Sequence, residues 1–129
     1  EIYTEVDTLS LHDALPIYKY YKLDQDYELL IMNEALCVVE YLPDGSSVNM
    51  LKQYRMNPKG FAFYRKELMK LPFVSFMFKV RQAVHYVSSS LMMNNRGFIT
   101  EAPNKVITTL VLPFGYMLYL YIITKTKVA

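Results

Sequence analysis

Tryptophan is absent from the 129 residues, cysteine occurs once and glycine only four times. The lone Cys37 excludes an internal disulfide and any paired-cysteine zinc site. It stands in an apolar, β-branched stretch with no cationic neighbour to acidify it, so a small buried hydrophobe is expected there rather than a nucleophile. Glycine-rich phosphate loops, Cys-x-x-Cys pairs and a His-Glu-x-x-His helix are all missing. No internal repeat and no low-complexity segment occurs. Residues 1–17 lack the basic start and apolar stretch of a signal peptide. Acid is scarce beyond residue 45: Glu67 and Glu101 face twelve bases there, a net of +10. Residues 1–45 are the reverse, ten acids against Lys19 and Lys22, a net of −8.

What is present is apolar bulk and localised charge. Hydrophobic residues make up 53% and the mean hydropathy is +0.10, high for a freely soluble chain of this length. The length suits one modest domain or a piece of a larger one. Eight bases and one acid fall between Lys52 and Arg81, which points to an anionic partner such as lipid headgroups or phosphate. A merely solvated basic surface is the plainer alternative. Nucleic acid is not expected, because the interleaved Tyr and Phe lie on a helical stripe that needs burying and so cannot stack on bases.

Taken in order, Tyr18 to Asp26 suits a short helix with Tyr20, Leu23 and Tyr27 on one side. Tyr27–Met32 and Leu36–Tyr41 read as two short strands joined by Asn33-Glu34-Ala35. Pro43-Asp44-Gly45 ends the second, and Ser46 or Ser47 can cap a helix from Val48 to Met56. Pro58 stops that helix and starts another, with Phe61, Tyr64, Leu68 and Leu71 on one stripe. A third helix, about Ser75 to Asn94, has Phe76, Val80, Val84, Val87 and Leu91 on one face; Arg81, His85, Ser88 and Ser89 share another. His85 reads as a hydrogen bonder on the helix surface, and Gly97 as a left-handed cap. Val106 to Ile123 carries no charge and is bracketed by Lys105 and Lys125. Its Pro113, Gly115 and tyrosines suit a helix on a membrane surface before a true span, and a span before a buried soluble helix.

Several ordered features resemble the C-terminal part of a family 2 glycosyltransferase, the inverting nucleotide-sugar enzymes of the GT-A fold. They are Leu23-Asp24-x-Asp26-Tyr27, Asn33-Glu34-x-Leu36-Cys37-Val38-Val39-Glu40-Tyr41, Asp44-Gly45-Ser46-Ser47-x-Asn49, Lys52-Gln53-Tyr54, Asn57-Pro58-x-Gly60-Phe61, Tyr64-Arg65-Lys66 and the hydrophobic tail. Thr8 to Ile17 instead resembles a translated sequencing-library adapter, which would make residues 1–17 non-native and His12 and Asp13 irrelevant.

The resemblance implies an α+β fold, a short two-stranded β element followed by three to four helices: a short helix and strand pair from the end of the catalytic domain (18–49), then basic amphipathic helices (50–99) and a hydrophobic C-terminal helix (100–129). It implies a parent enzyme that transfers sugar from a nucleotide donor to a glycan or lipid-linked acceptor, with a divalent metal on an Asp-x-Asp. It places that enzyme at the cytoplasmic side of a bacterial inner membrane. The metal-binding carboxylates and the base would precede Tyr18, so the chain is expected to be an inactive fragment with no cofactor or metal of its own. Asp24 and Asp26 are expected to be solvated surface acids. The retained substrate-binding edge would be Asp44, Gly45, Ser46 and Asn49, with Lys52 and Arg55 meeting phosphate. A small peripheral membrane-binding module with no catalytic role is the alternative.

Overall fold

A computed structural model of the chain describes residues 15–28, 30–40 and 49–126, and every regular element among them is a helix. In chain order these are α1 (Leu15–Leu23), α2 (Met50–Met56), α3 (Pro58–Lys70), α4 (Phe76–Met92), α5 (Phe98–Glu101), α6 (Lys105–Leu110) and α7 (Leu112–Thr126). The expected α+β fold with a two-stranded element is therefore overturned; the fold is mostly α. Within 30–40 no residue pairs as a strand, and Ile31 and Val38 are 84% and 97% exposed. β-Branched residues favour strands only where a pleated, half-buried surface receives them, and two strands alone are marginal in water. Among the described residues no such surface lies over these. Cys37, expected to be buried, is exposed for the same reason.

The helix boundaries follow local chemistry. Asn57 ends α2 because Pro58 disfavours helical geometry before it, and its Oδ1 then accepts the Gly60 N–H at 3.1 Å to cap α3. Ser75 Oγ accepts from Phe78 N–H at 3.2 Å, and Asn104 Oδ1 accepts from Ile107 N–H at 3.1 Å, capping α4 and α6. The left-handed residue that closes α4 is Asn94, with φ of 54°, whereas Gly97 sits at −90°. Asparagine tolerates that conformation, and the Asn95 N–H to Ser90 carbonyl bond at 3.1 Å closes the turn. Pro113 has no N–H to give the preceding turn, so the apolar run breaks at Val111 into α6 and α7. Among the described residues no helix is long and apolar enough to cross a membrane.

The core forms around α4. Its Ala83, Tyr86 and Val87 are buried beneath Ala62 and Met69 of α3 on one side and Ile107 and Val111 on the other. The α3 stripe behaves as its periodicity predicts, with Leu68 and Leu71 buried and Phe61 and Tyr64 half-buried. After α4 the chain reverses through α5, and α7 returns along α4 with Gly115 against Val87. α1 docks by its other side from that expected: Tyr18 O–H donates to Glu67 at 3.3 Å and Tyr21 meets the Phe78 ring, while Tyr20 and Leu23 stay exposed. α5 is tied down by Tyr86, whose buried hydroxyl donates to the Phe98 carbonyl at 2.9 Å. Tyr86→Phe leaves that carbonyl without its donor and is expected to cost about 1–2 kcal/mol. A lower urea midpoint at unchanged slope would report it.

Candidate functional site

Two polar constellations stand out, one inside the bundle and one at its edge. Inside, Arg65 of α3 donates to Gln82 Oε1 of α4 at 2.7 Å and to the Tyr54 hydroxyl of α2 at 3.3 Å. The Tyr54 ring lies edge-on to Phe61, 4.6 Å between centroids, and faces His85 at 6.0 Å. His85 is half-buried, and burial first, then the Arg65 and Arg81 guanidiniums, push its pKa down to about 4. It is neutral near pH 7, not the surface residue that was expected. This seam joins three helices and fixes α2 by its inner face.

The outer face of α2 is thereby turned to solvent, where Lys52 and Arg55 lie one turn apart. The end of α7 comes alongside. Arg55 Nη1 donates to Thr126 Oγ1 at 3.1 Å, and Thr126 Oγ1 donates in turn to the Ile122 carbonyl at 2.7 Å. A cleft of about 530 Å³ results, lined by Asn49, Leu51, Lys52, Arg55, Met56, Lys125 and Thr126. Among the described residues three cations line it and no carboxylate does, while Leu51 and Met56 supply an apolar wall. Lys125 also offsets the negative carboxyl end of the α7 dipole.

The arrangement can hold an oxyanion. Guanidinium gives a planar fork for two oxygens, and each ammonium gives a mobile point charge. All three cations are exposed, so water and salt screen each contact and no single one decides binding. Together they support an affinity for a small phosphate on the order of a millimolar.

Of the residues expected to bind substrate, Asn49, Lys52 and Arg55 are thus gathered in one cleft. Asp44, Gly45 and Ser46 lie outside the described residues, as do His12, Asp13 and the proposed cap at Ser47. Lys125 and Thr126 were missed. Their only signal was a lysine at the end of an uncharged run, which says nothing about a partner some seventy positions earlier in the chain.

Among the described residues no group of three His, Cys, Asp or Glu side chains could hold a divalent metal, and Asp24 and Asp26 are exposed in the turn that ends α1. The donor set does not fit the metal that the resemblance implies for a parent enzyme, so no step is routed through one. Compared with protein-family models, curated proteins and solved structures, the chain matches none.

Proposed function

We propose that this chain is the helical, phosphate-holding part of a nucleotide-sugar-dependent inverting glycosyltransferase working at the cytoplasmic face of a bacterial inner membrane. The observation that carries the reading is the cleft in which Lys52 and Arg55 of α2 meet Lys125 of α7, with no carboxylate among the described residues that line it. A sugar transferase must neutralise a diphosphate, on the donor or on a lipid-linked acceptor, and preorganised cations do this without reorganising during the reaction. The ordered motifs from Leu23 to Lys66 supply the link to family 2. Bond making would rest on residues outside this chain, which itself contributes binding and charge neutralisation.

Two tests bear on the two halves of the reading. Inorganic pyrophosphate titrated into the full chain at low salt is expected to shift its phosphorus resonance. The triple variant Lys52→Ala, Arg55→Ala, Lys125→Ala is expected to weaken that binding by up to about a hundredfold, since each exposed contact is worth up to about 1 kcal/mol. Equal binding by the variant would remove the cleft as the site. For the transferase itself, the coding DNA upstream of residue 18 is expected to encode a nucleotide-binding half with an Asp-x-Asp at a strand end. A different upstream domain would leave an anion-binding helical module in its place.

A further inference from the structure

The consecutive helices α6 and α7 are uncharged from Val106 to Ile123 and mostly apolar, but only one side is covered. Gly115 and Ile122 are buried inward, with Val111 between the helices. Outward, Val106, Leu110, Phe114 and Met117 are 69%, 70%, 63% and 67% exposed, and Leu120 and Tyr121 continue the face. No charge interrupts it between Lys105 and Lys125. A helix apolar all round needs either a core or a lipid phase around it. Half of this one has a core.

We infer that the outward face of α6–α7 lies in the headgroup–acyl boundary of an anionic bilayer, with the helices parallel to the surface. Charge complementarity selects this occupant. Lys105 and Lys125 bracket the apolar face, and residues 46–129 as a whole carry twelve bases against two acids. Basic residues at the ends of an apolar helical face match anionic headgroups above buried acyl chains. Spanning is excluded by the inward side, which is packed on α4, a helix that also carries Arg81, Gln82 and His85. Between the two helices an almost wholly apolar groove of about 610 Å³ runs past Val80, Val84, Phe114, Met117 and Tyr121. Tyr121 is one turn from Lys125, which lines the cationic cleft. A lipid acyl chain in the groove therefore brings its phosphate to the cleft mouth. The docking face stands on its own exposure and flanking charge; only this last step rests on the cleft as a phosphate site.

The absence of tryptophan makes the test clean, because a single substitution is then the only indole in the chain. Met117→Trp replaces an exposed side chain and leaves the core alone, while Tyr20→Trp on α1 serves as control. With vesicles containing phosphatidylglycerol, the Met117→Trp emission is expected to move to the blue. Brominated acyl chains should quench it, more strongly with bromine near the headgroups than near the midplane; Tyr20→Trp should do neither. Adding Lys105→Gln and Lys125→Gln is expected to weaken binding to these vesicles about 25-fold, a factor of about five per cation.

An unquenched Met117→Trp would overturn the proposal. So would equal binding to phosphatidylcholine vesicles, or a blue shift without lipid that grows with protein concentration, the mark of a second copy or protein partner instead. Failure of pyrophosphate binding alongside normal vesicle docking would sink only the cleft.

Discussion

Gly115→Val is expected to lower the stability of the chain by about 3 kcal/mol or more, the largest single effect foreseen here. A Cβ at position 115 would stand 2.4 Å from Val87 Cγ1, 2.5 Å from Val87 Cβ and 3.2 Å from the Val84 carbonyl oxygen. Val87 is wholly buried at the centre of the core, and a β-branched side chain in a helix has one strongly preferred rotamer. It has nowhere to swing. Replacing a mid-helix glycine by alanine would ordinarily gain up to about 1 kcal/mol of helix propensity. Overpacking costs about 1–3 kcal/mol, so even Gly115→Ala should come out destabilising. Valine adds two further carbons to the clash. Urea unfolding of both variants would check the order. Val87→Gly alone opens a cavity but removes both clashing carbons, whereas Val87→Ala would keep the Cβ, so Gly115→Ala with Val87→Gly should be more stable than the sum of the single losses allows. Strict additivity would mean that α7 does not pack on α4 through this contact.

The second large effect is acid destabilisation through His85. An unfolded histidine takes up its proton near pH 6.5, whereas His85 in the fold does so only at about 4. As the pH falls from 6.5 towards 4 the unfolded state binds more protons than the folded one, and stability is lost. Above pH 6.5 the neutral ring costs nothing. Burial is the main cause, and the facing groups are Arg65 and Arg81, with the Tyr54 ring at 6.0 Å. Between pH 7 and 4.5 the loss is expected to reach about 2–3 kcal/mol. His85→Gln keeps a polar side chain but cannot titrate, so its stability should fall less over the same range. The difference between the two urea series isolates the histidine from the carboxylates. Parallel series would show that His85 is protonated as easily in the fold as in the open chain.

Local signals were legible in the sequence and distant ones were not. Asn57-Pro58 and Ser75 announce helix starts because a cap acts within three residues, and the stripe from Phe61 to Leu71 repeats the helical period over three turns. The stretch around Ile31 and Val38 misled, because β-branched composition states a preference for a sheet without supplying one. Gly97 misled similarly: left-handed geometry went to Asn94, three residues earlier, at a φ of 54°. His85 looked like a surface residue because its burial is made by Tyr54 of α2 and Arg65 of α3, on other helices. That Lys52 and Arg55 share one face of a helix could be read from their spacing. That Arg55 meets Thr126, with a separation of 71 positions, could not.

The proposal turns on the edge between α2 and α7 as a site for a diphosphate, that of the donor or of a lipid-linked acceptor. Its most direct test is a titration of inorganic pyrophosphate, the group common to both, into the ¹⁵N-labelled full chain, followed by backbone amide resonances. Saturable shifts concentrated at residues 49–56 and 122–126, with α1 and the middle of α3 unmoved, are the expected result. Shifts that cluster elsewhere, or none at concentrations well above a millimolar, would contradict it.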